Sequence, residues 1–149
     1  MHQAPPSPPT VPEIQLSDRV LEFLRLPNYA TLATLGPDGT PHQAVIWFRL
    51  DEDGRILINS RAGRRWPAEL QADARCALAI TSRDDPFTWV GVQAEVDEVV
   101  EDVESARDDI VALSVHYGEH SADGETRFRS QPRISFKLRI VGAHDHLDE

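Results

Sequence analysis

Residues 29–59 read YATLATLGPDGTPHQAVIWFRLDEDGRILIN. Three apolar, β-branched runs are cut by two turn signals, Gly36-Pro37-Asp38-Gly39 and Asp51-Glu52-Asp53-Gly54. Short apolar runs bounded by Asp, Pro and Gly read as strands joined by tight turns. The pattern predicts an antiparallel meander with strands over residues 29–35, 40–50 and 55–59. The AVIWF run at 44–48 is apolar at every position, which predicts a central place in a sheet or packing against a partner.

Working outward, RCALAIT at 75–81 predicts a fourth strand. Residues 88–99 predict a long fifth, with Val90, Val92, Ala94 and Val96 on one face. Ile134, Phe136, Leu138 and Ile140 alternate with Ser135, Lys137 and Arg139, a period-two sixth strand. Ser17 or Asp18 caps a helix that ends before Pro27, with Leu16, Val20 and Leu24 on one face. Pro67 suits the first turn of a second helix running to Ala72. Ala106, Ile110, Leu113 and Tyr117 mark one face of a third. Residues 118–126 are polar and read as a loop. Six short antiparallel strands with one buried face tend to close into a barrel, because closure removes exposed edges. The expected fold is therefore α+β and mainly β: a six-stranded antiparallel split β-barrel with short flanking helices. A barrel of this size is filled by its own side chains, so a ligand binds outside it or at a subunit interface. Residues 1–15 hold five of the eleven prolines and read as a disordered or strapping tail. Residues 16–149 form the single domain expected of a 149-residue chain.

Composition excludes several functions. Fifteen basic against 25 acidic residues leave a net charge of −10, the wrong sign for a general nucleic-acid binder. No apolar run approaches the roughly 18 residues of a membrane span, and MHQAPPSPPTVPE lacks a signal peptide's pattern. A single cysteine, Cys76, excludes an intrachain disulfide and fits a reducing compartment. With six scattered histidines, it also excludes the common zinc frameworks. These features predict a soluble, cytoplasmic protein. Most of the negative charge lies between Glu95 and Asp109, read as a solvated turn and helix face.

Against that background, ILINSRAGRRWPAEL at 56–70 stands out. Arg61, Arg64 and Arg65 form a positive island in an acidic chain. Gly63 permits a tight turn or close backbone approach. A loop opening a helix presents free N–H groups, a favourable place for an anion, and guanidinium forks match phosphate oxygens. Asn59 and Ser60 add neutral donors. Two readings stand: a phosphate site, or an arginine-rich helix cap paired with surface carboxylates.

From Pro27 to Val141 the sequence resembles the pyridoxamine-phosphate-oxidase-like split β-barrel flavoproteins. Within them it is most similar to the actinobacterial oxidoreductases that use FMN or coenzyme F420, a deazaflavin. The likeness rests on the order of YATLATLGPDGTPHQAVIWF, LINSRAGRRWPAELQADARCALAI, DPFTWVGVQAEVDEV and PRISFKL. The resemblance implies that residues 59–65 hold a cofactor phosphate. Arg64 is then the main ligand, assisted by Ser60, Arg61 and Arg65, with Asn59 and Gly63 in the same segment. It implies that the segment Gln43 to Trp47, including Val45 and Ile46, lies along the tricyclic ring through backbone contacts. It implies a homodimer with the site at the interface, to which Trp89 and the segment around Arg133 contribute from the other subunit. Where many relatives carry a lysine, this chain has Trp66, which leaves Arg65 to supply the charge or Trp66 to pack on the ring or cofactor tail.

The resemblance thus implies an F420-dependent oxidoreductase that passes hydride to an unsaturated small-molecule acceptor. The same fold using FMN is the alternative, as is a non-catalytic module that stores or senses a cofactor. No nucleic acid or membrane is expected as partner. Trp47, Trp66 and Trp89 by themselves read as core or interface residues. His116, His120, His144 and His146 fall in expected loop and tail, without a metal-spaced cluster around them. His42 reads as exposed and Cys76 as buried and inert. No acid, base or nucleophile is assigned from sequence, which is compatible with chemistry carried by a cofactor.

Overall fold

The structure, a computed structural model, describes residues 14–148. Of the segment 1–15 read as a tail, residues 1–13 lie outside the described residues. Helix α1 spans Asp18–Arg25, its first turn closed by the Ser17 hydroxyl, which accepts from the Val20 N–H. Then come β1 (Tyr29–Leu35), β2 (Pro41–Ile46), β3 (Arg49–Leu50), β4 (Ile56–Arg61) and α2 (Arg65–Ala72). The chain continues through β5 (Arg75–Thr81), β6 (Trp89–Val100), α3 (Val103–His116), α4 (Ala122–Arg129) and β7 (Arg133–His146). All strand pairs are antiparallel, in the order β2-β1-β5-β6-β7-β4-β3.

That order shows the curl. Strands β2 and β3 are neighbours in sequence but lie at opposite edges of the sheet, joined only by Trp47 and Phe48. Three residue steps reach at most about 11 Å. The two edges must therefore approach one another, and the sheet closes on itself as a split barrel. Its interior is packed with Leu24, Leu32, Phe48, Ile56, Ile58, Ile80, Val92, Phe136 and Leu138, each no more than 1% exposed.

The single expected strand over residues 40–50 is thus corrected to two, giving seven strands among the described residues rather than six. The apolar AVIWF run signals a crossing rather than a central strand: β2 is an edge strand, and Val45 is 74% exposed. Tyr117, at the C-cap of α3, holds the crossing. Its hydroxyl accepts from the Phe48 N–H at 3.0 Å and lies 2.6 Å from the Asn28 carbonyl, to which it donates. Its ring stacks between Tyr29 and Trp47. The meander expected over residues 29–59 is corrected accordingly, since β4 pairs with β3 and β7 and not with β2.

Two further corrections follow. The expected loop at 118–126 contains the start of α4. This helix is capped by the Ser121 hydroxyl and braced by Arg129, which pairs with Glu125 on α4 and with Asp108 on α3. Its stability comes from charge pairs rather than an apolar stripe, so hydrophobic periodicity is silent there. His144 and His146 lie not in a tail but on β7, opposite Gly91 and Trp89. No described helix is long and apolar enough to cross a membrane.

Candidate functional site

The split creates the site. Strand β3 pairs only with Ile56 and Leu57 of β4. Among the described residues, β4 beyond Leu57 has β7 on one side and no sheet partner on the other, and strand β2 has β1 alone. Two free strand edges, with main-chain donors and acceptors unused by the sheet, flank a cleft of about 240 Å³. Ala44 to Trp47 line it from one side and Asn59 to Arg61 from the other. Arg64 and Trp66 close it at the start of α2, Ile110 and Leu113 form its floor on α3, and Arg133 enters from β7.

The loop into α2 turns at Gly63, where φ is +90°, a conformation L side chains rarely adopt. Arg64 is the N-cap of α2, and its side chain makes no capping hydrogen bond. The opening turn therefore has no side-chain acceptor from its cap, and Pro67 contributes no N–H. Among the described residues, Arg61, Arg64 and Arg133 form no ion pair with a carboxylate. Arg133 is only 9% exposed. Its guanidinium donates to Gln131 Oε1 at 2.6 Å and to Asn59 Oδ1 at 3.3 Å, both neutral acceptors. Burial, and then the charges of Arg64 and Arg61, pull its pKa down to about 10. Three cations share a partly buried cleft without a counter-charge, which is costly for the folded chain and suited to a bound anion. The cap-to-carboxylate reading survives only for Arg65, whose Nε lies 3.8 Å from Glu69.

Of the residues expected at the site, Val45, Ile46, Trp47, Asn59, Ser60, Arg61, Arg64 and Trp66 line this cleft. Gln43 and Arg65 line an adjoining groove of about 330 Å³ that shares Ala44, Arg64 and Trp66 with it. Asn59 is hydrogen-bonded within the fold. Its amide donates to the Ala106 carbonyl and the Ser135 hydroxyl, both at 2.8 Å, while its oxygen receives Arg133. It positions Arg133 and has little capacity left for a ligand. Ser60 donates to the Arg61 carbonyl. Trp66 leans on Phe136 with ring centres 5.8 Å apart and joins the core on one side. Trp89 lies away from the cleft of its own chain, stacked on His146 at 4.2 Å and edge-on to His144.

Sequence reasoning missed three features. Arg133, expected to act across an interface, lines the cleft of its own chain; a charge opening a strand that carries Lys137 and Arg139 as well does not mark it out in the sequence. Ile110 and Leu113 read as core and also floor the cleft. His42, expected to be exposed, instead bonds Glu69 Oε1 through Nδ1 at 2.6 Å. Glu69 is buried and also accepts from the Thr34 hydroxyl at 2.7 Å. Burial disfavours its charge, but the hydrogen bonds from Thr34 and His42 outweigh this and hold its carboxyl below the usual range. Cys76, expected to be buried and inert, is of intermediate exposure and lines a groove beside Arg75 and Ala77; burial, with Glu95 nearby, pushes its thiol up to about 12. Among the described residues no group of three or more His, Cys, Asp or Glu is arranged to hold a metal ion.

Residues 16–146 match the family model described as pyridoxamine 5'-phosphate oxidase. The chain belongs to that family. A curated pyridoxine/pyridoxamine 5'-phosphate oxidase from Cupriavidus metallidurans is 35% identical over 86 residues, 56% of this chain. The match spans only 37% of that relative's length. Among solved structures, one named F420 reductase superposes with a TM-score of 0.69 at 23% identity, covering 83% of this chain and 94% of that one. A heme storage protein from Vibrio cholerae superposes with a TM-score of 0.65 at 18% identity, covering 89% and 95%. At those identities the likeness is one of fold. Proteins of this fold thus include an F420 reductase and a heme storage protein.

Proposed function

We propose that the protein is a homodimeric oxidoreductase that binds coenzyme F420 in the split of the barrel and serves an unsaturated organic acceptor. The observation that carries this reading is the trio Arg61, Arg64 and Arg133, cationic and, among the described residues, without carboxylate partners beside a strand edge left free. A cofactor with a phosphate at one end and a planar ring at the other fits such a donor set. Arg64, Arg61 and Arg133 would hold the phosphate, with N–H groups at the start of α2 adding to them. The edge of β2 from Gln43 to Trp47 would receive the ring, whose polar rim needs the main-chain groups the sheet leaves unused. When bound, the deazaflavin supplies a hydride, and the protein's share is orientation and electrostatics. The exposed Val45 and the position of Trp89 away from its own cleft support a second protomer completing the site.

Two features favour F420 over FMN as the first choice. Arg65, in the groove that adjoins Arg64, offers an acidic tail a second cation. The F420 reductase shares nearly its whole chain with this fold. FMN is the second reading, favoured by the family match and by the curated phosphate-ester oxidase. A non-catalytic store is the third, raised by the heme storage neighbour. A side-by-side fluorescence titration with F420 and FMN tests the order. Binding of F420 with turnover of an enone by its reduced form is the expected result. Tight binding of FMN alone transfers the protein to the flavin branch, and binding without turnover to any acceptor supports the store.

A further inference from the structure

We propose that His42, oriented by Glu69, is the proton donor to the acceptor at this site. The inference rests on the oxidoreductase reading above and adds the group that reading lacks. The histidine stands on β2, the strand whose edge lines the cleft, one residue before Gln43. Its Nδ1 is 2.6 Å from Glu69 Oε1, and Gly36 packs against the ring, since a Cβ there would lie 3.0 Å from His42 Cε1. A buried carboxylate that already accepts from Thr34 takes a proton-bearing nitrogen as its other partner. Neutral His42 therefore carries its proton on Nδ1 and leaves Nε2 as the exchangeable position. Nε2 has no hydrogen-bond partner among the described residues.

The position is connected to the anion site. His42 lines the 330 Å³ groove together with Arg64 and Trp66, which also line the cleft. It lines as well an outer groove of about 540 Å³. The charged groups around it are Glu69 and Arg65 of α2, Arg64 before α2, Asp73 at its end and Asp38 in the β1–β2 turn. Glu69 fixes tautomer and ring orientation, the arrangement that lets an imidazole serve as acid and base at neutral pH.

The step balances. An electron-poor double bond that has received a hydride, and with it two electrons, from a reduced deazaflavin or flavin is an anion and needs one proton. The Nε2–H bond of the imidazolium breaks, a bond from that proton to the acceptor forms, and the electron pair stays on Nε2. His42 is left neutral with Nδ1–H on Glu69, and water reprotonates Nε2. His42 changes no oxidation state.

The test compares wild type, His42→Gln and Glu69→Gln by three readouts. The first is the ¹⁵N signature of the His42 ring in the protein alone across pH. The expected result is the Nδ1–H tautomer in the neutral form, lost in Glu69→Gln. A neutral Nε2–H tautomer overturns the proposal. The second is affinity for F420 and FMN, expected to change less than about threefold in His42→Gln. The third is kcat against pH with cyclohexenone and the reduced cofactor. His42→Gln should lose on the order of 10²–10⁴-fold, together with the limb that reports the acid, at unchanged melting temperature. An unchanged kcat and pH profile in a variant that still binds cofactor assigns His42–Glu69 to bracing α2 against the sheet and overturns the proposal. Absence of cofactor binding in wild type is a different failure, that of the oxidoreductase reading, and it removes this proposal too.

Discussion

The Arg133 guanidinium sits 3.3 Å from the Asn59 side-chain oxygen, nearly buried, and has no carboxylate partner among the described residues. Asn59 can hold it because both amide hydrogens are already spent on Ala106 and Ser135, which forces the oxygen toward β7. The Ser135 hydroxyl in turn donates to Asp109 at 2.8 Å, and burial raises the Asp109 carboxyl. The chain from α3 through Asn59 to Arg133 presents a cation to the cleft and keeps Asp109 three hydrogen bonds away from it. Such an arrangement stabilises a bound anion more than it stabilises the free fold.

Stability and binding should therefore part company at this cluster. Arg64→Ala removes a cation that makes no side-chain cap and forms no ion pair among the described residues. Its melting temperature should equal or exceed that of wild type, because repulsion with Arg133 is relieved. Its affinity for a phosphate-bearing cofactor should fall about 10- to 100-fold, the range of a charge-assisted hydrogen bond worth ~1.5–3 kcal/mol. Calorimetric scans and a binding titration on one preparation check both halves. Weaker stability with unchanged affinity would mark Arg64 as a structural cap.

Tyr117→Phe tests the barrel's split. The substitution leaves the Phe48 N–H without its acceptor and the Asn28 carbonyl without its donor at a buried crossing. The expected loss is about 1–3 kcal/mol, or a fall of several degrees in melting temperature for a domain of this size. Urea unfolding followed by circular dichroism measures it. A variant as stable as wild type would show that the stack of Tyr29, Tyr117 and Trp47 holds the crossing unaided.

Gly91→Ala probes the far end of the barrel. A Cβ at Gly91 would collide with the His144 ring, which bonds His146 at 3.0 Å and meets Trp89 edge-on. The ring must move, so the variant should lose about 1–3 kcal/mol by overpacking and shift the tryptophan emission. If Trp89 contributes to the partner's cleft, cofactor affinity falls as well. An alanine variant with wild-type emission and stability would contradict this packing.

Acid should weaken the fold through α2. Hydrogen bonds from the Arg75 side chain and backbone hold Asp73 at about 2, against an ordinary 3.8, and Glu69 is also held low. Between those values the unfolded chain binds more protons than the folded one. Their contribution is present in full above about pH 5 and is lost as pH falls toward about 2. Asp73→Asn should flatten that decline in urea unfolding at pH 7, 4 and 3. An identical pH dependence in the variant would place the acid sensitivity elsewhere.

Much of this was legible in the residues, for physical reasons. Strands β1 and β5 begin and end where the sequence predicts because both are bounded by turn chemistry and have one dry face. The face of α3 is read correctly because 3.6-residue periodicity survives on a helix packed against a sheet. The break at Trp47–Phe48 was not legible, since a chain crossing from one sheet edge to the other is as apolar as a central strand. Helix α4 was hidden because Arg129 and its two acids stabilise it without an apolar stripe. At the site, Arg61, Arg64 and Trp66 announce themselves by local clustering. Arg133 lies about seventy residues further on, and Glu69 lies 27 residues from His42. Contacts over such separations leave no local pattern.

The most direct test of the account is a calorimetric titration of wild type, Arg64→Ala and Arg133→Met with F420 and with FMN. The account expects wild type to bind F420 in preference to FMN, with one site per protomer, and each variant to lose at least tenfold while remaining folded. Failure of wild type to bind either cofactor, or variants that bind as tightly as wild type, would contradict the assignment of the arginine cleft as the cofactor's phosphate site.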